Sequence, residues 1–254
     1  HGRTLDLSVT ISPVRGSEGR IVGASLVARD ISERRAADRK TELLLGELDH
    51  RVKNILAIVS AVVSQTLKTS PAPQVFAAEI DGRIKAIANA HSLLTRTGQG
   101  EMSLRAVFAT ELAPYGRGDG SIVVTGHDIV LTPKAGLPLA MAIHELASNA
   151  AKYGALSTPA GRLAVTWQVM DVGAGKRAFT LTWTEAGGPP VQLPPRRGFG
   201  TTLIERTLAH ELDADVHREF LEAGLRCTLA MPLTEEVGRI QAVEEARGQG
   251  DDQR

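Results

Sequence analysis

The 254-residue chain has one cysteine, few aromatics and no excess of charge of either sign. A single Cys227 excludes an internal disulfide framework and suits a reducing, cytoplasmic setting. Its place in an apolar, strand-like run, Leu225 to Leu233, marks it as a core residue rather than a reactive thiol. Lys plus Arg and Asp plus Glu both total 29, so the basic footprint that nucleic-acid binding leaves is missing. No apolar run is long enough to span a bilayer, and no signal peptide opens the chain. Apolar residues make up 43%, which excludes a disordered chain and allows a sizeable core. The chain opens at His1, partway through a strand-like pattern, as expected of a piece of a longer protein.

Proline is missing over another stretch, from Ser32 to Ser70, and returns at Pro71 and Pro73. A continuous helix is predicted there, with Ser32 as N-cap. At 1.5 Å per residue it would be roughly 55–60 Å long. Leu44, Leu48, Val52, Ile55, Val59 and Val62 step by fours and threes along one side, a near-heptad stripe suited to a helical hairpin or a dimer bundle. His50 points away from that stripe, with Lys53 and Asn54 on its own face. A second helix is predicted from Gln74 to Arg96, with Phe76, Ile80, Ile84, Ile87, Ala88, Leu93 and Leu94 as its apolar face. The short turn between the two makes them antiparallel neighbours.

Residues 4–11 and 20–28 alternate as two strands around a loop from Pro13 to Gly19. Beyond Gly98 the pattern mixes short helices and strands. Helices are expected over Ser103–Leu112, Leu137–Tyr153 and Thr201–Leu212. Strands are expected over Ile122–Val124, Asp128–Leu131, Leu163–Val169, Ala178–Thr184, Val216–Phe220 and Leu225–Leu233, with Gly126 as a turn between the first two. Helices against a mixed sheet fit this order. From Glu235 the chain reads as a charged, glycine-rich tail.

Leu139, Ile143, Leu146 and Ala150 form one face of the Leu137–Tyr153 helix. Glu145, Asn149 and Lys152 fall together on the opposite side. An acid, an amide and an amine on one wet face can hold Mg²⁺ and phosphate oxygens, although the spacing alone favours an ordinary solvated face with an i, i+4 pair.

Five strings go further. Asp49-His50-Arg51-Val52-Lys53-Asn54-Ile55-Leu56 resembles the H-box of sensor histidine kinases, in the subgroup reading H-R-x-K-N-x-L-A. His144 through Ser157, HELASNAAKYGALS, resembles the N-box of the HWE histidine kinases. Trp183-Thr184-Glu185, followed by Ala186-Gly187-Gly188-Pro189, supplies that subgroup's W-x-E. Gly198-Phe199-Gly200-Thr201 resembles a second glycine box. The strand pair followed by Asp30-Ile31-Ser32-Glu33-Arg34 resembles the end of a PAS sensor domain.

The resemblance implies an α+β fold, with an antiparallel two-helix hairpin followed by an α/β-sandwich ATPase domain of the histidine kinase, gyrase and Hsp90 type. The implied domains are 1–31, the last strands of a PAS-like domain; 32–98, a dimerisation and phosphoacceptor hairpin; 99–234, the ATP-binding domain; and 235–254, the tail. It implies ATP and Mg²⁺, a homodimer, and a response-regulator receiver domain as partner. His50 would be the phosphoacceptor, since a neutral imidazole nitrogen is a competent nucleophile near neutral pH. Asp49, Glu47 or Glu145 would hold its other ring nitrogen, because Arg51 stands where many such kinases carry an acid. Asn149 would coordinate Mg²⁺, Lys152 would meet phosphate, and Tyr153 would border the adenine or ribose. His144 would lie at the nucleotide site with no assigned role. Glu185 would take the place of the aspartate that bonds the adenine amino group, with Gly187 as the first glycine. Arg196 and Arg197, with Gly198, Gly200 and Thr201, would close over phosphate as a lid. The alternatives from the residues are a non-catalytic nucleotide-binding or docking module, and a gyrase- or Hsp90-like ATPase that leaves the H-box unexplained.

Overall fold

The computed structural model describes residues 5–15, 17, 19–70, 72–96, 100–190 and 208–241, with the side chains at 44, 47, 50, 51 and 69 outside that set. The chain divides into two units, His1–Ala61 and Val62–Arg254.

In the first unit, β1 (Leu7–Arg15) and β2 (Ile21–Asp30) pair antiparallel, with Val9 opposite Ala28 and Ile11 opposite Leu26. The pairing runs past Pro13, so the turn is shorter than the loop expected from the sequence. A two-stranded sheet has only edge strands, where proline is tolerated. The long α1 (Ser32–Thr69) follows without a break. Ser32 does not cap it in the way its sequence suggests. Its backbone N–H donates to Asp30 Oδ1 at 2.8 Å, and its hydroxyl accepts from the Asp6 backbone N–H at 2.9 Å. Asp30 therefore satisfies the helix start, while Ser32 ties it to the head of β1. Leu43, Leu45, Leu48, Val52 and Leu56 lie exposed along this half of α1.

The second unit begins with the last turns of α1. Thr66 bonds Arg83 and Ser70 bonds Glu79 of α2 (Pro73–Arg96), so residue numbers fall along one helix as they rise along the other. This is the antiparallel pairing that the short turn predicted. The buried side of α2 differs from the expected one. Arg83, Ala86, Ile87, Ala90 and Leu94 are buried, whereas Ile84 is 43% exposed and Ala88 is exposed. The cause is a second neighbour, α4 (Pro133–Lys152), against which α2 also packs.

A five-stranded sheet runs β4-β6-β7-β9-β8, from β4 (Ile122–Gly126), β6 (Arg162–Gly173), β7 (Lys176–Ala186), β8 (Asp215–Leu221) and β9 (Gly224–Pro232). Only β4 and β6 pair in parallel. Its core face is built from alternate residues in register: Val165 opposite Trp183, Trp183 opposite Cys227, and Leu181 opposite Leu229. Leu139, Ile143 and Leu146 of α4 face Leu181 and Leu229 across a small apolar gap. Beside α4, α3 (Leu104–Leu112) sends Phe108 to stack on Trp167 at 5.3 Å between ring centres. The short α5 (Leu208–Leu212) also packs on α4.

A second sheet of three strands was not foreseen. It runs β10-β5-β3, from β3 (Met102–Ser103), β5 (Ile129–Leu131) and β10 (Gly238–Ile240). Two expectations change. The segments on either side of Gly126 belong to different sheets, so Gly126 ends one strand rather than joining a hairpin. The start of the charged tail is ordered: Val237 is buried and β10 pairs with β5. Alternation over three residues is too short a signal to separate such a strand from a tail. The helix expected from Leu137 begins a turn earlier, with Thr132 as N-cap and Pro133 in the first turn. The expected helix start at Thr201 lies outside the described residues.

Candidate active site

One end of α4, the turn after it and the end of β7 meet at a single edge. Within this turn Ala155–Ser157 form a short 3-10 helix. The Ala155 backbone N–H donates to Glu185 Oε2 at 2.8 Å, and the Thr158 hydroxyl donates to the Gly187 carbonyl at 2.8 Å. The Arg117 guanidinium braces the same turn through the carbonyls of Thr158 and Gly161, at 2.9 and 3.3 Å. Gly154 is required here because a Cβ would sit 1.9 Å from Glu185 Oε2. Gly187 has φ of +71°, which a side chain rarely adopts.

Asn149, Lys152, Tyr153 and Gly187 are exposed on these elements, with Tyr153 73% exposed. An amide, an ammonium and an aromatic ring thus stand free for a ligand beside a rigid turn. Mg²⁺ commonly keeps several waters and takes few protein ligands when phosphate supplies the rest. The exposed Asn149 amide carbonyl is an oxygen donor of the kind such a site uses.

Glu185 is 4% exposed, and both its oxygens are in use. Trp183 Nε1 donates to Oε1 at 2.9 Å, opposite the Ala155 bond to Oε2. Burial raises its carboxyl above the ordinary carboxylate range, and the two donors partly offset this. Trp183 and Glu185 share one face of β7 because they stand two apart on a strand.

Glu145 is not on a wet face. It is 5% exposed and faces α2, where Arg83 Nε and Nη2 grip its two oxygens at 2.7 and 3.2 Å. Arg83 Nη1 also donates to Thr66 Oγ1 at 2.8 Å, so the guanidinium joins the end of α1, α2 and α4. The wheel of α4 correctly separated Glu145 from the face on the sheet, but α2 covers that other side. His144 likewise turns inward, with Nδ1 2.8 Å from the buried Glu111 of α3 and its ring close to Gly82 of α2. His144 thus lies at a contact between three helices.

His50 lies in α1, in the other unit. Its neighbour Asp49 accepts from Lys53 Nζ at 2.5 Å, with both side chains exposed. Arg196, Arg197, Gly198, Gly200 and Thr201 lie outside the described residues. Arg83, Glu111 and the Ala155 amide were missed by sequence reasoning. Arg83 at i+4 from Glu79 reads as an ordinary surface pair, and nothing local marks its partner 62 residues away.

Residues 47–128 match the HWE histidine kinase family. A blue-light-activated histidine kinase of Brucella ovis is 32% identical over 237 residues, covering 93% of this chain and 48% of that protein. The Brucella anthropi protein of the same name is 34% identical over 209 residues, covering 82% and 42%. The chain thus spans about half the length of the curated relatives it matches. Among solved structures, the blue-light activated histidine kinase EL346 of Erythrobacter litoralis superposes with a TM-score of 0.51 at 15% identity, over 92% of this chain and 73% of that one, a likeness of fold. The chain thus matches the HWE histidine kinase family at residues 47–128, and it is similar to the Brucella histidine kinases over most of its own length.

Proposed function

We propose that the chain is an ATP-dependent protein histidine kinase that phosphorylates His50 and passes the group to an aspartate of a response-regulator receiver domain. The observation that carries this is the meeting of the HELASNAAKY helix end and the W-x-E strand end at one rigid edge, joined through Glu185 and the Ala155 amide. That edge leaves Asn149, Lys152 and Tyr153 exposed together. On this reading Asn149 would hold Mg²⁺, which would supply positive charge against the phosphates. Lys152 neutralises phosphate, and Tyr153 borders the base or sugar.

The step is an in-line displacement. A ring nitrogen of His50 forms the new N–P bond as the bond from the γ-phosphorus to the bridging oxygen breaks, and ADP departs with that electron pair. The proton on the other ring nitrogen goes to a carboxylate, Asp49 or Glu145. For Glu145 to serve, Arg83 must first release it. Catalysis of this kind is mostly positioning and charge stabilisation.

The domain reading follows. The β1–β2 hairpin is the end of a PAS-like sensor domain, and the helical hairpin carries the phosphoacceptor. The apolar residues exposed on α1 support a homodimer built along that helix. No helix among the described residues is long and apolar enough to cross a membrane, and a cytoplasmic setting is proposed with it.

Incubation with γ-labelled ATP tests the proposal. Label should appear on the protein, be acid-labile, and vanish in His50→Ala. Acid-stable label would point to serine or threonine transfer. Bound ATP with no phosphohistidine would select the non-catalytic docking module.

A further inference from the structure

Arg117 stands in the loop before β4, yet its guanidinium ends on the turn that leaves α4, 41 and 44 residues further along the chain. Nη1 donates to the Thr158 carbonyl at 2.9 Å and Nη2 to the Gly161 carbonyl at 3.3 Å. The side chain is 33% exposed, with Asp119 beside it at 3.9 Å. The Ser121 N–H donates to Asp119 Oδ1 at 2.9 Å and so steadies the loop that carries both residues. A planar guanidinium fork can span two carbonyls in fixed geometry, which a single ammonium cannot.

The turn gripped in this way leans on the end of β7. The Thr158 hydroxyl donates to the Gly187 carbonyl at 2.8 Å, while the carbonyl of Thr158 accepts from Arg117. A Cβ at Gly187 would lie 2.9 Å from the Ala160 carbonyl oxygen, and one at Gly161 would lie 1.6 Å from that of Ala155. The backbones therefore touch with no side chain between them. Arg117, Thr158 and Gly187 form one line of bonds from the loop before β4 to the end of β7. Asn149 and Lys152 are held differently, because they lie within α4 and the helix itself fixes them.

We infer that Arg117 is a positioning residue for the nucleotide, acting through residues 155–161 and Gly187, and that it governs how tightly the nucleotide is held rather than how fast the phosphoryl group leaves. Without it the two carbonyls turn to water and the turn loosens beside Gly187. The base and sugar then lose a fixed wall next to Tyr153. The groups proposed to meet metal and phosphate keep their places on α4. This inference rests on the nucleotide reading above.

The test uses the whole chain. Calorimetric titration with Mg·ATP gives the dissociation constant, and labelled ATP at rising concentration gives the maximal rate of His50 labelling. Wild type, Arg117→Met, Arg117→Lys and Thr158→Val are compared, with near-ultraviolet circular dichroism to establish folding. Arg117→Met removes both donors at similar length and should raise the dissociation constant about fivefold, with the maximal rate within about twofold of wild type. Arg117→Lys keeps the charge without the fork and should recover no more than about half of that loss. Thr158→Val should weaken binding in the same direction. The double variant Arg117→Met with Thr158→Val should lose less than the product of the two single losses, because both act through one turn. Full recovery in Arg117→Lys would overturn the inference in favour of plain charge attraction to the phosphates. Unchanged affinity in a folded Arg117→Met, or a maximal rate that falls as far as the affinity, would overturn it as well. If Arg117→Met does not fold, Arg117→Lys and Thr158→Val decide, and wild-type affinity in both sinks the inference. A wild type that binds no Mg·ATP refutes the nucleotide reading itself, and the inference with it. A wild type that binds Mg·ATP but takes no label refutes the kinase reading alone, and the dissociation constants still decide.

Discussion

Replacing Arg83 by methionine keeps the length of the side chain and removes its charge, leaving Glu145 enclosed without its partner. Both side chains of the pair are 7% exposed, so water cannot replace the lost guanidinium without opening α2 from α4. Breaking a buried ion pair from one side costs about 3–5 kcal/mol, because the remaining charge is left unpaired. Thr66 softens this little. Its hydroxyl still donates to the Val62 carbonyl at 2.6 Å, so losing Arg83 leaves it satisfied. With a urea dependence of about 2 kcal/mol per molar, the unfolding midpoint should fall by about 1.5–2.5 M. Tryptophan fluorescence is the assay, since Trp167 and Trp183, the two tryptophans of the chain, are both buried in the five-stranded sheet of the same unit. The double variant Arg83→Met with Glu145→Leu removes both charges and should recover most of the loss, since an apolar pair of similar volume is often neutral or better. Two results would refute this reasoning. One is a loss below about 1 kcal/mol in Arg83→Met, the range of a surface pair. The other is a double variant no more stable than the single one.

Gly154→Ala should destabilise the second unit by about 1–3 kcal/mol through overcrowding against Glu185, read as a lower urea midpoint; an unchanged midpoint would mean the turn has room to move. Burial raises Glu185 above its ordinary value of 4.5, so its contribution to stability is fully present below that value and is lost as pH rises through the folded value. The stability of wild type relative to Glu185→Gln should therefore be greatest in acid and shrink as pH rises through that window. Parallel urea series across pH check this, and a difference that grows with pH would contradict it.

How much of this was legible in the sequence depends on how far each feature reaches along the chain. The proline-free run marked α1 because a helix is a local object, and α1 spans Ser32–Thr69. The W-x-E string marked a special place on β7, yet the bond from Glu185 to Ala155 joins residues 30 apart and leaves no local trace. Glu145 was placed on a wet face because a helical wheel divides one helix into a core side and an open side. In the fold α4 is enclosed twice, by the sheet and by α2. The same missing neighbour explains α2, whose expected stripe included Ile84 while the buried one includes Arg83. Gly126 signalled a break in the chain, but not that the break moves it into another sheet.

The three-stranded sheet has a mechanical consequence. Its outer strands are β3, which follows the helical hairpin, and β10, and both pair with β5 between them. Neighbouring strands lie about 4.8 Å apart, so β3 and β10 are separated by about 10 Å. The Arg239 guanidinium also bonds the Glu101 carboxylate across that gap, with Nη2 2.8 Å from Oε2. A load applied to the two ends would pass through these short strands and this ion pair before reaching the larger sheet. The second unit should therefore yield first at this clasp, with the edge between α4 and β7 still intact.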